Sequence, residues 1–359
     1  MNIRMLLSGT ALAQYRHTLI LPHVLTQPNI GMLAFRWLVV GCQGVTLLIT
    51  WPLWQVHASP PMLPALPLPY FDMGVLLLLS LAIIFVKPLH GMMVHSALLL
   101  YAMLIDQTRI QPEIISLAFV IWGTLQNPSA KAIACAHLIA LWFWAGLNKL
   151  LSPAFLTSTG PGLFATLLPK APLWFRSNGG YLIALTEFSL GVLAFFPRTR
   201  KLAGVTAVGL HTFIFLTLSP LGRNWNESVW PWNIALALAG LALIFSWREW
   251  PLKASFPRPV QVLIVLILIS PAGWFVGLTD AYLAHHLYSS DVPRASSTAL
   301  GTGATWSAFE VPLPPEHRLF EQYFRITCQP GDEMTIRDRR WWFQRQGLGE
   351  RHFTCPSSP

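Results

Sequence analysis

Apolar residues in this chain gather into runs long enough to cross hydrocarbon, separated by short polar, Pro-rich or basic breaks. Nine runs stand out, at roughly 31–54, 70–86, 89–106, 110–126, 131–151, 181–197, 201–220, 229–247 and 259–278. Lipid offers a backbone no hydrogen-bond partners, so runs of this length predict helices. The third and fourth runs share only Gln107, Thr108 and Arg109 as a turn. Pro112 and Glu113 interrupt the start of the fourth, which therefore reads either as a span or as a re-entrant segment. The expected fold is an all-α polytopic integral membrane protein, with a bundle of eight or nine transmembrane helices over residues 31–278. A lead-in of residues 1–30 precedes the bundle, and a small extracytoplasmic module of residues 279–359 follows it.

Composition agrees. Of 359 residues, 53% are hydrophobic and 11% charged, where a soluble domain carries about 25% charged residues. A disordered chain, a disulfide scaffold and an ordinary soluble enzyme are excluded. The net charge of +9 would invite nucleic acid, but residues 1–278 hold 16 Lys/Arg against 6 Asp/Glu while residues 279–359 hold 8 against 9. The positive charge thus sits in short loops, where it orients spans, and no nucleic-acid partner is expected. With the N-terminus cytoplasmic, eleven Lys/Arg fall on the inner side and five in the outer short loops. This predicts a multi-pass protein of the cell's inner membrane with its C-terminal module outside.

The stretch Met5 to Ala13 reads as an amphipathic interfacial lead-in rather than a signal peptide, because its apolar core is short and broken by Ser8, Gly9 and Thr10. Residues 60–69 are too Pro-rich for a helix and read as an extended outer connection. Trp51, Trp54, Trp225, Trp230, Trp232, Trp247 and Trp250 lie at the ends of runs, as interfacial anchors would. In the tail, residues 317–325 repeat apolar positions at helical spacing, whereas Met334, Ile336 and the stretch Trp341 to Phe343 look like strand.

Of the four cysteines, Cys42 and Cys135 fall within apolar runs and read as small buried hydrophobes. Cys328 and Cys355 lie in the outer tail and are disulfide candidates. No CxxC pair occurs, and His285 and His286 would diverge by about 100° on a helix, so no metal site is expected.

Ionisable groups inside a membrane normally face a protein interior and often mark function. The candidates are His95, His211, Glu187 and Lys149, with His137, Leu141, Trp144 and Asn148 forming one stripe of the fifth run. Lys149 either snorkels to the headgroups from its helix end or serves as a base. Glu187 is either a structural partner of Lys149 or His211 or a functional group. His95 and His211 are either helix-to-helix hydrogen bonders or part of a shared polar cavity.

The segment Trp142-Phe143-Trp144-Ala145-Gly146-Leu147-Asn148-Lys149-Leu150 resembles the F-x-AG-x-x-KL stretch of the vitamin K-dependent gamma-carboxylase family and its bacterial HTTM relatives, which overlap the DoxX-like membrane proteins. His95-Ser96 resembles that family's His-Ser segment. Leu193 to Arg200 followed by His211 resembles its turn into a histidine-bearing helix. The likeness covers roughly residues 89–247. It implies that Lys149 is the base and that His95 helps to place or neutralise a substrate carboxylate. It also implies a reduced, vitamin K-like quinone as cofactor and a peptide or protein substrate on the outer side. In that family the lysine deprotonates the quinol, oxygen turns the anion into a strong base, and a glutamyl γ-proton is removed before carbon dioxide adds.

This chain departs from the animal carboxylases, with Asn148-Lys149 where they carry paired lysines and a short tail where they carry a large lumenal region. A smaller quinone-linked or peptide-modifying member is expected, with Lys149 as base, His95 and His211 as polarising or orienting groups, and Glu187, His137 and Asn148 behind them. The alternative is a non-catalytic maturation, export or redox-accessory factor of the DoxX-like type, in which the tail outweighs Lys149. A transporter lacks support, because no inverted repeat shows in the hydropathy.

Overall fold

In the computed structural model, residues 30–289, 291–297 and 304–355 are described. The expected lead-in at Met5 to Ala13 lies outside these residues. Each of the nine apolar runs contains a helix: α1 (Ile30–Ile49), α2 (Gly74–Val86), α3 (Pro88–Ile105), α4 (Pro112–Gly123), α5 (Pro128–Leu150), α7 (Gly179–Phe195), α8 (Arg200–Leu218), α9 (Val229–Ala239) and α10 (Arg258–Ile269). A short α6 (Gly160–Leu167) lies between α5 and α7. Five are long and apolar enough to cross a membrane: α1, α3, α5, α8, and α10 with its continuation to Val276. The other four are shorter. The twelve residues of α4 extend only about 18 Å, well short of a hydrocarbon core of about 30 Å.

The helices carry large apolar side chains on their outer surface, including Leu79 and Val86 of α2 and Val262, Leu266 and Ile269 of α10. Such a continuous greasy exterior is stable only against lipid. The most enclosed of the five long helices is α5, and α7 is the helix it packs against most extensively. Gly146 and Gly191 explain the closeness. A Cβ on Gly146 would collide with the Phe188 backbone nitrogen, and one on Gly191 with the Phe143 backbone. The two helices therefore meet backbone to backbone, as small residues allow within membranes.

The C-terminal module is not all helical. Antiparallel strands β1 (Arg294–Ser297), β2 (Glu333–Arg337) and β3 (Glu350–Thr354) form a sheet in that order. Met334 and Ile336 of β2 face helix α11 (His317–Thr327), which buries Leu319, Phe320, Tyr323 and Phe324. Cys328 and Cys355 are joined as a disulfide beside this core. Two sequence readings change here. Trp341–Arg345 is a short helix, not a strand. The Pro-rich connection does more than link, because Leu63 is fully buried in the module's core and so helps to seat it on the bundle. Further ties are the Arg318–Asp280 ion pair, the Ala281 N–H donated to Glu316, and Arg318 Nε donated to Gln107.

Several of the expected tryptophan anchors are interior residues. Trp54 donates to Thr50 Oγ1 with no exposed surface, and Trp247 stacks under the Arg200 guanidinium at 3.9 Å. Trp250 is half exposed.

Candidate functional site

The close α5–α7 contact places the site. Lys149 lies one turn beyond Gly146, and Glu187 immediately precedes Phe188, so the approach of the two backbones sets their side chains face to face. Lys149 Nζ donates to Glu187 Oε2 at 2.5 Å, and both residues are buried. Lys149 therefore does not snorkel. Its remaining contacts are weak: Ala145 O at 3.5 Å, and the Phe155 ring with its centroid 5.8 Å away. Among the described residues, the second carboxylate oxygen of Glu187 accepts no hydrogen bond.

The pair opens on an apolar cavity between α5, α7, α8 and α9, lined also by His211, Asn233, His285 and Tyr288. The free space among these side chains is about 730 Å³, yet only about 50 Å³ of it is wide enough for the centre of a water molecule. It is a narrow slot, with room for a few waters.

His211 is committed within the protein. The Trp142 indole N–H can only donate, so it fixes His211 Nε2 as an acceptor at 2.8 Å. Nδ1 then carries the proton and donates to Asn233 Oδ1 at 2.9 Å, whose amide nitrogen is itself tied to Val229 O. The imidazole is a neutral fixed tautomer with both nitrogens used, so the sequence-level assignment of His211 as a catalytic group is corrected. It supports the wall of the cavity.

His95 is corrected more strongly, for it is not among the cavity residues. It sits between α1, α2 and α3. Ser80 Oγ gives its single proton to Leu77 O, so His95 Nδ1 donates to Ser80 at 2.8 Å and Nε2 accepts from Gln43 at 3.3 Å. This is the helix-to-helix role. His137 also stays outside the lining, stacked on Phe119 and edge-on to His285 at 5.5 Å. Asn148 does not line the cavity either, but it donates to Ala284 O at 2.8 Å and so fixes the segment that carries His285.

That segment, residues 279–289, was assigned to the outer module from sequence, yet it turns back to cap the cavity with His285, Leu287 and Tyr288. His285 and Tyr288 have φ values of 62° and 62°, a left-handed backbone rare for such residues. Burial, then the Lys149 charge, drives the His285 imidazole down to about 3, so it is neutral. His286 is turned elsewhere, onto Trp274 and Ser289. Sequence reasoning missed Asn233, His285 and Tyr288. Asn233 was within reach, because a polar residue inside an apolar run is the same signal that flagged His211. Nothing local marked the capping segment.

Among the described residues, no group of three or more His, Cys, Asp or Glu is arranged to hold a metal. Compared with protein-family models, with curated proteins and with solved structures, the chain matches none.

Proposed function

We propose that the chain is a multi-pass inner-membrane protein whose cavity binds a flat, apolar molecule bearing an ionisable hydroxyl, a reduced quinone of the vitamin K-like type, and takes up its proton. The observation that carries this reading is the buried Lys149–Glu187 pair on the wall of a narrow apolar slot. The cavity's apolar walls suit a lipid-soluble ligand. The quinol, when bound, supplies the acidic hydroxyl and the redox chemistry. Glu187's unbonded oxygen is the atom at which a proton is accepted. Lys149, in its ion pair with that carboxylate, offers its remaining N–H groups to an adjacent oxygen and stabilises negative charge there. This shifts the roles expected from the carboxylase resemblance: the base is the pair, with the carboxylate taking the proton, rather than a neutral lysine. Neutral His285 opposite keeps the slot free of a second positive charge.

Beyond the five helices long enough to cross, the shorter apolar helices bring the count to eight or nine spans, with α4 as a short crossing or a re-entrant segment. The excess of Lys and Arg in the inner short loops supports a cytoplasmic N-terminus and an outer C-terminal module, the side from which a peptide or protein substrate would approach.

The test is equilibrium binding of 1,4-naphthohydroquinone to purified, detergent-solubilised protein under anaerobic conditions. Lys149→Ala is expected to remain folded and inserted while binding falls at least tenfold, and Glu187→Gln is expected to bind without releasing protons from the hydroquinone. Unchanged binding in Lys149→Ala removes the proposal. A second reading has two observations in its favour: His95 and His211 are internally satisfied, and the tail is disulfide-stapled, which suits a non-catalytic maturation or redox-accessory factor.

A further inference from the structure

Tyr288 lines the cavity, and its phenol oxygen accepts a hydrogen bond from Asn226 Nδ2 at 2.6 Å. Behind it, Ser228 Oγ has one proton and two acceptors in reach, Asn226 Oδ1 at 2.9 Å and Glu113 Oε1 at 3.2 Å, and the nearer amide oxygen takes it. Glu113 is buried, and no Lys, Arg or His among the described residues lies within ion-pair distance of it. The chain of donors runs one way, Ser228 to Asn226 to Tyr288. A phenol has a single proton and is here an acceptor towards Asn226, so that proton has no acceptor among the described residues. Asn226 and Tyr288 both hold left-handed backbone, φ 55° and 62°, strain that persists only where the surroundings enforce it. Asn226 opens an Asn-Glu-Ser sequon, but it is buried within this chain of bonds and not displayed for a glycan.

Resting on the cavity reading above, we infer that Tyr288 is a ligand-binding donor. It hydrogen-bonds an oxygen of the molecule in the slot, and Asn226 is the positioning residue that turns its proton towards the cavity. With the Lys149 ammonium, this gives the slot two donors on different elements. It therefore selects ligands that carry acceptor oxygens, such as the two carbonyls of a quinone, over plain hydrocarbons of the same shape.

The experiment compares binding of 1,4-naphthoquinone and of naphthalene to the full chain in detergent, by equilibrium dialysis, for the parent, Tyr288→Phe, Asn226→Asp and Lys149→Ala, each confirmed monodisperse. Tyr288→Phe is expected to weaken naphthoquinone about tenfold, the worth of one hydrogen bond in a dry site. Asn226→Asp keeps the ring and the hydrogen bond but reverses it, because a carboxylate only accepts and draws the phenol proton away from the cavity. It is expected to cause the same loss, with the double variant no worse than either single one. Naphthalene affinity is expected to stay constant among the parent, Tyr288→Phe and Asn226→Asp.

Parent-like naphthoquinone binding by Asn226→Asp or Tyr288→Phe, while Lys149→Ala loses it, overturns the role of Tyr288 and leaves the cavity reading intact. Naphthalene lost in parallel shows a collapsed wall and overturns it too. Naphthoquinone not bound by the parent also overturns the role of Tyr288, whereas 1,4-naphthohydroquinone binding that is absent from the parent or indifferent to Lys149→Ala removes the cavity reading itself.

Discussion

Two buried ion pairs in this protein are built in opposite ways. In the C-terminal module, Asp338 is saturated: it accepts from the Arg340 backbone N–H, from Arg340 Nε and Nη2, and from His317 Nε2, while Arg340 Nη1 reaches Trp274 O and its guanidinium stacks on Trp274 and Phe343. In the bundle, Lys149 and Glu187 share one short bond and little else. A network with every lone pair used specifies a structure. A pair with spare donors and a spare acceptor, left facing a cavity, keeps capacity for a ligand. The comparison separates a bond that holds the fold from one that serves a site, and it can be broken at either end.

The largest expected effect is in the module. Asp338→Ala leaves Arg340 buried without its counter-charge, which costs about 3–5 kcal/mol. Denaturant unfolding followed by module-directed proteolysis should register the loss, while naphthohydroquinone binding stays near the parent value. A drop in binding as large as that of Lys149→Ala would show that the two regions are not separable. Burial alone would raise the Asp338 carboxyl, but the bonds from His317 and Arg340 outweigh it and hold it at about 2. Its contribution is therefore present above the unfolded value near 3.9 and lost as pH falls through about 2.

Next comes the disulfide. Cys328 and Cys355 are 27 residues apart, and closing a loop of that length stabilises by about 3.5 kcal/mol in the chain-entropy account. Cys355→Ala should lower the module's unfolding midpoint accordingly and spare binding at the slot. Greater damage to the protein's cellular role than from Lys149→Ala would favour the accessory-factor reading.

Glu316 gives a smaller effect of opposite sign. Burial raises its carboxyl to about 7 despite the hydrogen bond from the Ala281 N–H. The folded module thus holds a proton that the unfolded chain has already released, and stability falls as pH rises from about 4.5 to about 7. The swing is on the order of 3 kcal/mol. Glu316→Gln should flatten it, and an undiminished slope in the variant would assign the pH dependence elsewhere.

Why sequence showed one of these regions better than the other follows from distance along the chain. The helices were legible because each apolar run carries its own backbone solution, and α11 because Leu319, Phe320, Tyr323 and Phe324 repeat within eleven residues. Lys149 and Glu187 were flagged for being charged in apolar runs, but their meeting depends on Gly146 and Gly191, whose glycines act only once α5 and α7 are side by side. His95 misled because an intramembrane histidine looks the same in sequence whether Ser80 and Gln43 satisfy it or a cavity leaves it free. The capping role of residues 279–289 is a long-range fold-back, fixed by Asn148 of α5 and by Asn226 of the connection before α9.

The least stability change, and the sharpest form of the comparison, is expected when both members of the bundle pair are removed together. Lys149→Met alone strands a carboxylate in an apolar wall, and Glu187→Leu alone strands an ammonium; each single change should destabilise by several kcal/mol. The double variant leaves neither charge and nearly the same volume, and such replacements of buried pairs are neutral or stabilising by about 1–4 kcal/mol. Thermal unfolding of Lys149→Met/Glu187→Leu should therefore match or exceed the parent, while naphthohydroquinone binding and its proton release disappear. The corresponding removal of Asp338 and Arg340 cannot be neutral, because Trp274 O and His317 would lose their partners. If the bundle double variant instead unfolds as readily as either single change, the Lys149–Glu187 pair is part of the scaffold, and the chemistry proposed for the slot has to be sought in His285 and Tyr288.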